Sequence, residues 1–257
     1  MDRLTIVKVG GKVVEETDSL NALLDDFRKV SGNKLLVHGG GRAATALAER
    51  LGIETQMVDG RRITDLQTLE VVTMVYGGLV NKRIVAGLQA RGCNALGLTG
   101  ADLDIIRAHK RPVKDIDYGY AGDIENVNTR ELRLLLDENI APVVAPLTHD
   151  GNGLLLNTNA DTIAAELAIE FSNYYKVFLF YCFEKRGVLA DPEDDNSVLP
   201  ELSETEFRQY QESGIISSGM IPKLTNGFKA RRNGVQEVLI TNPENFAKGR
   251  GTRLTLG

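Results

Sequence analysis

Four short segments of this chain carry residue types suited to holding and transferring phosphate. They are Lys8-Val9-Gly10-Gly11, His38-Gly39-Gly40-Gly41, Asn157-Thr158-Asn159-Ala160-Asp161 and Gly219-Met220-Ile221-Pro222-Lys223. Each glycine group follows an apolar, strand-like run and precedes a helical pattern, an arrangement that turns backbone N–H groups and a helix N-terminus toward an anion. Lys8 and Lys223 add mobile positive charge. Lys8 stands just before Gly10 and Gly11, so its ammonium can reach the anion that the glycine backbone approaches; Lys12 reads as an ordinary surface lysine. Pro222 suits the first helical position, which puts Lys223 at the positive end of a helix and calls for an anion beside it.

Bland readings compete with each of these. Glycines serve turns, and Asn159 can cap a helix whose first turn holds Asp161, which explains both residues structurally. Asn157 tips the balance: it shares an edge of the turn with Asn159, so the two amides could grip a carboxylate while Asp161 orients lysines. Gly39-x-Gly41-x-x-Ala44, followed by Asp59, imitates a dinucleotide fingerprint and keeps a nicotinamide-dependent oxidoreductase open. The same His-Gly-Gly-Gly imitates an esterase oxyanion loop, but no G-x-S-x-G nucleophile turn accompanies it. A Walker loop is excluded because no Lys-Ser or Lys-Thr follows the glycines. His38 reads as a structural residue at a strand end.

The chain has 257 residues, 42% of them hydrophobic, enough for one enzyme-sized unit near the size at which a fold divides into lobes. A formal charge of −5 argues against nucleic acid or an anionic membrane as the main partner. Cys93 and Cys182 are far apart and lack zinc-ligand spacing, so neither a disulfide framework nor a protein-held metal is expected. The start passes directly into a strand-like run, without a signal-peptide pattern, and a cytoplasmic location is expected. The apolar residues 174–183 are too short to span a bilayer and read as a buried strand.

The elements that must position these groups alternate. Strands are expected over residues 4–9, 34–38, 94–98, 141–145, 174–183 and 235–240, the last taken as the final central strand. Helices are expected over 19–30, 42–51, 65–90 with Thr64 as cap, 129–138, 160–170, 204–213 and 222–232. Residues 102–128 read as strands and turns outside the main sheet, and residues 150–153 as a hairpin. The alternation implies right-handed crossovers and an α/β fold around a parallel sheet. The Leu, Val and Met residues of 65–90, at helical spacing, are assigned to the core and given no chemistry.

Taken in order, these segments, with Gly60-x-Arg62-x-Thr64 and Asn81-Lys82, resemble the acetylglutamate kinases of the amino acid kinase family over nearly the whole chain. The resemblance implies a three-layer αβα sandwich with a mainly parallel central sheet. It implies an N-terminal lobe, 1–172, for acyl-amino acid binding and dimerisation, and a C-terminal lobe, 173–257, for ATP. The implied reaction is phosphorylation of the side-chain carboxylate of N-acetyl-L-glutamate, the second step of arginine biosynthesis. Mg2+ would ride on the ATP phosphates, and the assembly would be a homodimer without arginine feedback. By resemblance the catalytic groups are Lys8, Lys223, Asp161 and Gly11. Gly39, Gly40, Arg62, Asn157 and Asn159 are the acyl-amino acid ligands, and Gly10, Gly187, Gly219, Met220 and Lys223 meet the nucleotide. One stretch departs: where relatives carry Ser/Thr-Asp-Val-x-Gly, this chain reads Phe183-Glu184-Lys185-Arg186-Gly187, and weaker nucleotide binding is expected there. Alternatives are another acyl group, such as succinyl, or a catalytically weak sensing module of the same fold.

Overall fold

A computed structural model describes residues 1–58, 60–216 and 219–257. Its strands are β1 (Arg3–Val9), β2 (Asn33–His38), β3 (Met57–Val58), β4 (Arg61–Arg62), β5 (Ala95–Leu98), β6 (Ile106–Lys110), β7 (Gly122–Val127), β8 (Ala141–Val144), β9 (Leu147–His149), β10 (Leu155–Asn157), β11 (Lys176–Cys182), β12 (Glu201–Ser203), β13 (Glu237–Thr241) and β14 (Thr252–Thr255). Eight of them form the central sheet in the order β12-β14-β13-β11-β1-β2-β8-β5, parallel except for the β13–β14 pair. The expectation that residues 235–240 form the last central strand is corrected. The short, half-polar runs of β12 and β14 extend the sheet at its edge, and each is too brief to show a period of two.

The strand β1 reads Leu-Thr-Ile-Val-Lys-Val because it is buried on both faces between β11 and β2. Its side chains alternate. Leu4 and Ile6 enter a core shared with helices Thr129–Asp137, Ala160–Phe171 and Ile221–Arg232, through Leu132, Ile163, Leu224 and Phe228. Val7 and Val9 enter the opposite core, shared with helices Thr17–Lys29 and Leu66–Gln89, through Leu23, Phe27, Val72 and Leu88. Two helical layers therefore enclose one sheet, as the family resemblance implies. The same alternation places Lys8 on the face covered by helix Ala160–Phe171, and this brings it to Asp161.

Residues 102–128 do fold outside the main sheet. There β6 and β7 pair with the hairpin β9–β10 in a four-stranded sheet. Asp65, not Thr64, caps the long helix, its carboxylate accepting from the Thr68 N–H at 2.7 Å. Thr64 is buried instead, donating to the Arg62 carbonyl. Helix Leu66–Gln89 is long and apolar enough, by length and composition alone, to cross a bilayer. Here Val71, Val72, Val75, Tyr76, Val80, Ile84 and Leu88 are buried in the core, while Leu66, Met74 and Leu79 face out. Its middle, Thr73–Val80, is wound as a π-helix, a geometry found mostly as short insertions at functional sites.

Candidate active site

Three elements bring the charged groups together. Lys8 lies near the end of β1, Asp161 in the first turn of helix Ala160–Phe171, and Lys223 in the first turn of helix Ile221–Arg232. Lys8 Nζ is 2.7 Å from Asp161 Oδ1, and Lys223 Nζ is 3.2 Å from Asp161 Oδ2. Lys8 and Asp161 are both buried. Burial alone would raise the Asp161 pKa, but the charges of Lys8 and Lys223 outweigh it and hold the carboxyl below its ordinary value. Burial depresses the Lys8 pKa, the Lys223 charge adds to this, and Asp161 opposes both. The carboxylate thus holds two ammonium groups together that would otherwise repel. The anion that Lys223 demands at its helix N-terminus is Asp161.

Asn159 is the cap of the Asp161 helix: its side-chain oxygen accepts from the N–H groups of Asp161 and Thr162, at 2.8 and 3.2 Å. Its oxygen is therefore occupied, although the residue still lines the cavity described below. Asn157 donates to Thr64 Oγ1 at 2.9 Å, which ties β10 to the segment that carries Arg62.

The glycine turns divide into bound and open backbone. The Gly10 N–H donates to the Cys182 carbonyl and the Gly39 N–H to the Val9 carbonyl, both at 2.8 Å, so these two amides continue the sheet and are not donors to a ligand. This corrects the expectation that Gly10 meets an anion through its N–H. Gly11 opens helix Gly11–Glu15 and Gly40 precedes helix Gly41–Arg50, where first-turn N–H groups lack intrahelical partners. A Cβ placed on Gly11 would meet Gly40 N and Gly41 N at 3.7 Å, so these amides converge.

Arg62 ends β4 and is buried. Its Nη2 donates to the Gly41 carbonyl and to Thr45 Oγ1, both at 2.8 Å. Nη1 is buried with no hydrogen-bond partner among the described residues. A planar guanidinium fixed on one side and unsatisfied on the other suits a carboxylate.

Two cavities meet at Lys8. The first, about 220 Å³, is lined by Gly11, Gly40, Arg62, Tyr76, Asn157 and Asp161 among others. The second, about 410 Å³, is lined by Gly10, Lys12, Arg42, Glu184, Gly219 and Lys223. Lys8, Gly11 and Gly41 belong to both. Met220 joins the second cavity to an apolar pocket of about 100 Å³ that holds Gly187, Val188, Leu189, Pro192 and Ile216. Lys12, read as a surface lysine, lines the second cavity with Arg42, and Tyr76, to which the sequence assigns no role, lines the first. The signal for Lys12 was its adjacency to Gly11; for Tyr76 it was a phenol in an otherwise aliphatic stripe. Asp59, the acidic residue of the dinucleotide reading, lies outside the described residues.

His38 is buried at the end of β2, its Nδ1 2.8 Å from the Gly39 carbonyl and its Nε2 3.1 Å from Asn81 Nδ2. Asn81 also donates to the Val143 carbonyl at 2.9 Å. The partners assign a neutral ring with its proton on Nδ1, and burial depresses its pKa to about 4. The expected structural role is what the geometry provides. Cys93 and Cys182 are free and buried. Among the described residues no group of three or more His, Cys, Asp or Glu side chains could hold a metal ion.

The fold is that of a phosphotransferase sandwich, and the description "Amino acid kinase family" belongs to the family model that matches residues 3–242. The chain belongs to the amino acid kinase family. Among its relatives, the acetylglutamate kinase of Bacteroides thetaiotaomicron is 60% identical over 253 residues, covering 98% of each chain. That of Phocaeicola vulgatus is 60% identical over 251 residues, again covering 98% of each. Among solved structures, the protein smu.665 of Streptococcus mutans superposes with a TM-score of 0.84 at 25% identity, covering 99% of both chains.

Proposed function

We propose that this chain transfers the γ-phosphoryl group of ATP to the side-chain carboxylate of N-acetyl-L-glutamate, giving ADP and N-acetyl-L-glutamyl 5-phosphate. It is an acetylglutamate kinase of arginine biosynthesis. The observation that carries this reading is the ion triad Lys8–Asp161–Lys223 at the junction of two cavities. One cavity offers Arg62 with an unsatisfied guanidinium nitrogen, suited to an amino acid carboxylate. The other offers Lys12, Arg42 and Lys223 beside glycine backbone, suited to a polyphosphate, and leads to an apolar pocket suited to a purine.

The acceptor carboxylate is already ionised at neutral pH, so the reaction needs no general base. It needs two anions brought in line and their repulsion cancelled. Arg62 holds the far carboxylate of the acceptor, while Asn157 and the Asn159 turn form the wall beside it. Gly11 and Gly40 direct N–H groups at the transferring phosphoryl oxygens. Lys8, between the cavities, neutralises charge that gathers on that group, and Lys223 neutralises it on the nucleotide side. Asp161 positions both lysines. Magnesium carried on the ATP phosphates supplies further charge neutralisation, and Gly187, Gly219 and Met220 shape the nucleotide path. Residues 1–172 act as the acceptor lobe and 173–257 as the nucleotide lobe, joined through one sheet.

The exposed Leu66, Met74 and Leu79 on helix Leu66–Gln89 favour a homodimer across that face, acting on small molecules in the cytoplasm. The test is ADP formation from Mg-ATP with N-acetyl-L-glutamate, N-succinyl-L-glutamate or L-glutamate, using Lys8→Ala and Lys223→Ala as controls. Turnover greatest with N-acetyl-L-glutamate, and reduced about 100-fold or more by either substitution, is expected. Turnover that survives both substitutions, or folded wild-type protein inert toward all three acceptors, rejects the reading.

A further inference from the structure

Tyr76 lies in the π-helical stretch Thr73–Val80 of a helix that otherwise supplies aliphatic side chains to the core. It is buried, yet it lines the acceptor cavity. Two contacts define its place. Its ring lies against Gly40: a Cβ on that glycine would stand 2.9 Å from Tyr76 Cδ1 and 3.1 Å from Cε1, a clash at the first atom and a tight contact at the second. Its hydroxyl neighbours Arg62, with Tyr76 Oη 4.0 Å and Arg62 Nη2 3.8 Å from the position a Cβ on Gly41 would take.

Helical winding explains the placement. An α-helix carries residues in steps of 100°, whereas a π turn inserts an extra residue and re-aims the side chains beside it. Here the stretch turns a phenol toward the glycine loop among valines that pack on the sheet. Burial and the Arg62 charge act in opposite senses on this phenol, burial dominates, and its pKa rises, so the hydroxyl keeps its proton at neutral pH. A neutral phenol beside a guanidinium has its own proton to donate.

We propose that Tyr76 is a positioning residue for the acceptor: its ring fixes the Gly40 N–H at the reacting centre, and its hydroxyl completes with Arg62 a clamp for the acceptor's carboxylate. This rests on the acceptor reading of the first cavity given above. The two halves of the role separate by chemistry. Removing the hydroxyl weakens acceptor binding, whereas removing the ring frees the Gly40 backbone and impairs transfer.

The experiment compares wild type with Tyr76→Phe and Tyr76→Leu in steady-state kinetics, calorimetric binding of N-acetyl-L-glutamate and thermal unfolding. For Tyr76→Phe, KM and Kd for N-acetyl-L-glutamate rise about tenfold, the loss of one hydrogen bond to a charged group. Its kcat and its KM for Mg-ATP stay within about twofold of wild type, since uniform binding alone is lost. Tyr76→Leu loses kcat in addition. Unchanged acceptor KM in Tyr76→Phe, or equal shifts in both KM values that track a fall in Tm, shows a packing residue and overturns the proposal. Wild-type protein that neither binds nor phosphorylates N-acetyl-L-glutamate removes the functional reading first and the proposal with it.

Discussion

His38 offers a test that links a buried proton to the catalytic loop. Its ring lies between the Gly39 carbonyl and the Asn81 amide, and burial lowers its pKa from 6.5 to about 4. Protonation would give Nε2 a hydrogen that faces the Asn81 NH2 group, donor against donor. The sign follows from linkage: in this interval the unfolded chain binds a proton that the folded chain refuses, so stability is full above pH 6.5 and falls as pH drops toward 4. The shift from 6.5 to about 4 corresponds to roughly 3 kcal/mol, of which about 1 kcal/mol is lost by pH 5.5 and most of the rest by pH 4.5. Urea unfolding of wild type and His38→Gln at pH 7, 5.5 and 4.5 isolates this contribution, because carboxylates that titrate nearby are common to both. Gln places an amide near the Nε2 position and retains a partner for Asn81, so the variant starts less stable at pH 7 but loses less on acidification. The gap should narrow by about 2 kcal/mol between pH 7 and pH 4.5. Parallel pH profiles for the two proteins would falsify the reasoning and mean that the ring is protonated in the fold.

Asp161→Asn should lower kcat about 100-fold or more and cost about 3 to 5 kcal/mol of stability by urea unfolding, because Lys8 is left buried beside a second cation without a counter-charge. Adding Lys8→Met to Asp161→Asn should restore most of the stability and none of the activity; continued instability would argue that Asp161 acts through packing. Arg62→Lys removes the bidentate fork and should raise KM for the acceptor about tenfold with little change in kcat, whereas an unchanged KM would place the carboxylate elsewhere. Gly40→Ala puts a Cβ 2.9 Å from Tyr76 Cδ1 and should depress kcat, with partial recovery when Tyr76→Leu makes room.

Much of this arrangement was legible in the sequence because it is local. The apolar runs before Gly10 and Gly39 predict β1 and β2, and their β–turn–helix context predicts where open N–H groups fall. Asn159 before Asp161 predicts a capped helix, and the cap forms. The particulars that escaped depend on neighbours distant in the chain. Whether Gly10 offers its N–H depends on the Cys182 carbonyl, and whether Gly39 does depends on Val9, since both are sheet bonds. By residue type, Thr64 can cap a helix as Asp65 can. Tertiary demand decided otherwise, because Thr64 is taken by Asn157 and the Arg62 carbonyl. A π turn leaves little trace in a hydrophobic pattern, so the pattern does not show that Tyr76 reaches the site. Strands as short as β12 and β14 have too few residues to show alternation.

The triad itself is poorly explained as a stabilising device. One ammonium group and one carboxylate are buried and a second ammonium is partly so, and the desolvation of such ions commonly exceeds what their attraction returns. Both effects register on the same residues: burial depresses the Lys8 pKa despite a carboxylate 2.7 Å away, while only two neighbouring cations keep Asp161 below its ordinary value. Three chain segments, separated by 153 positions between Lys8 and Asp161 and by 62 between Asp161 and Lys223, converge on this point, so chance adjacency of surface charges does not account for it. Nor do the lysines complete one another, since two positive ends share a single negative group and leave one positive charge over. That surplus, facing one cavity lined by Arg61 and Arg62 and a second lined by Lys12, Arg42, Lys185 and Glu184, favours anions entering from both sides. That charge balance is complementary to anions entering from both sides, as the proposed transfer between an acceptor carboxylate and a nucleotide requires.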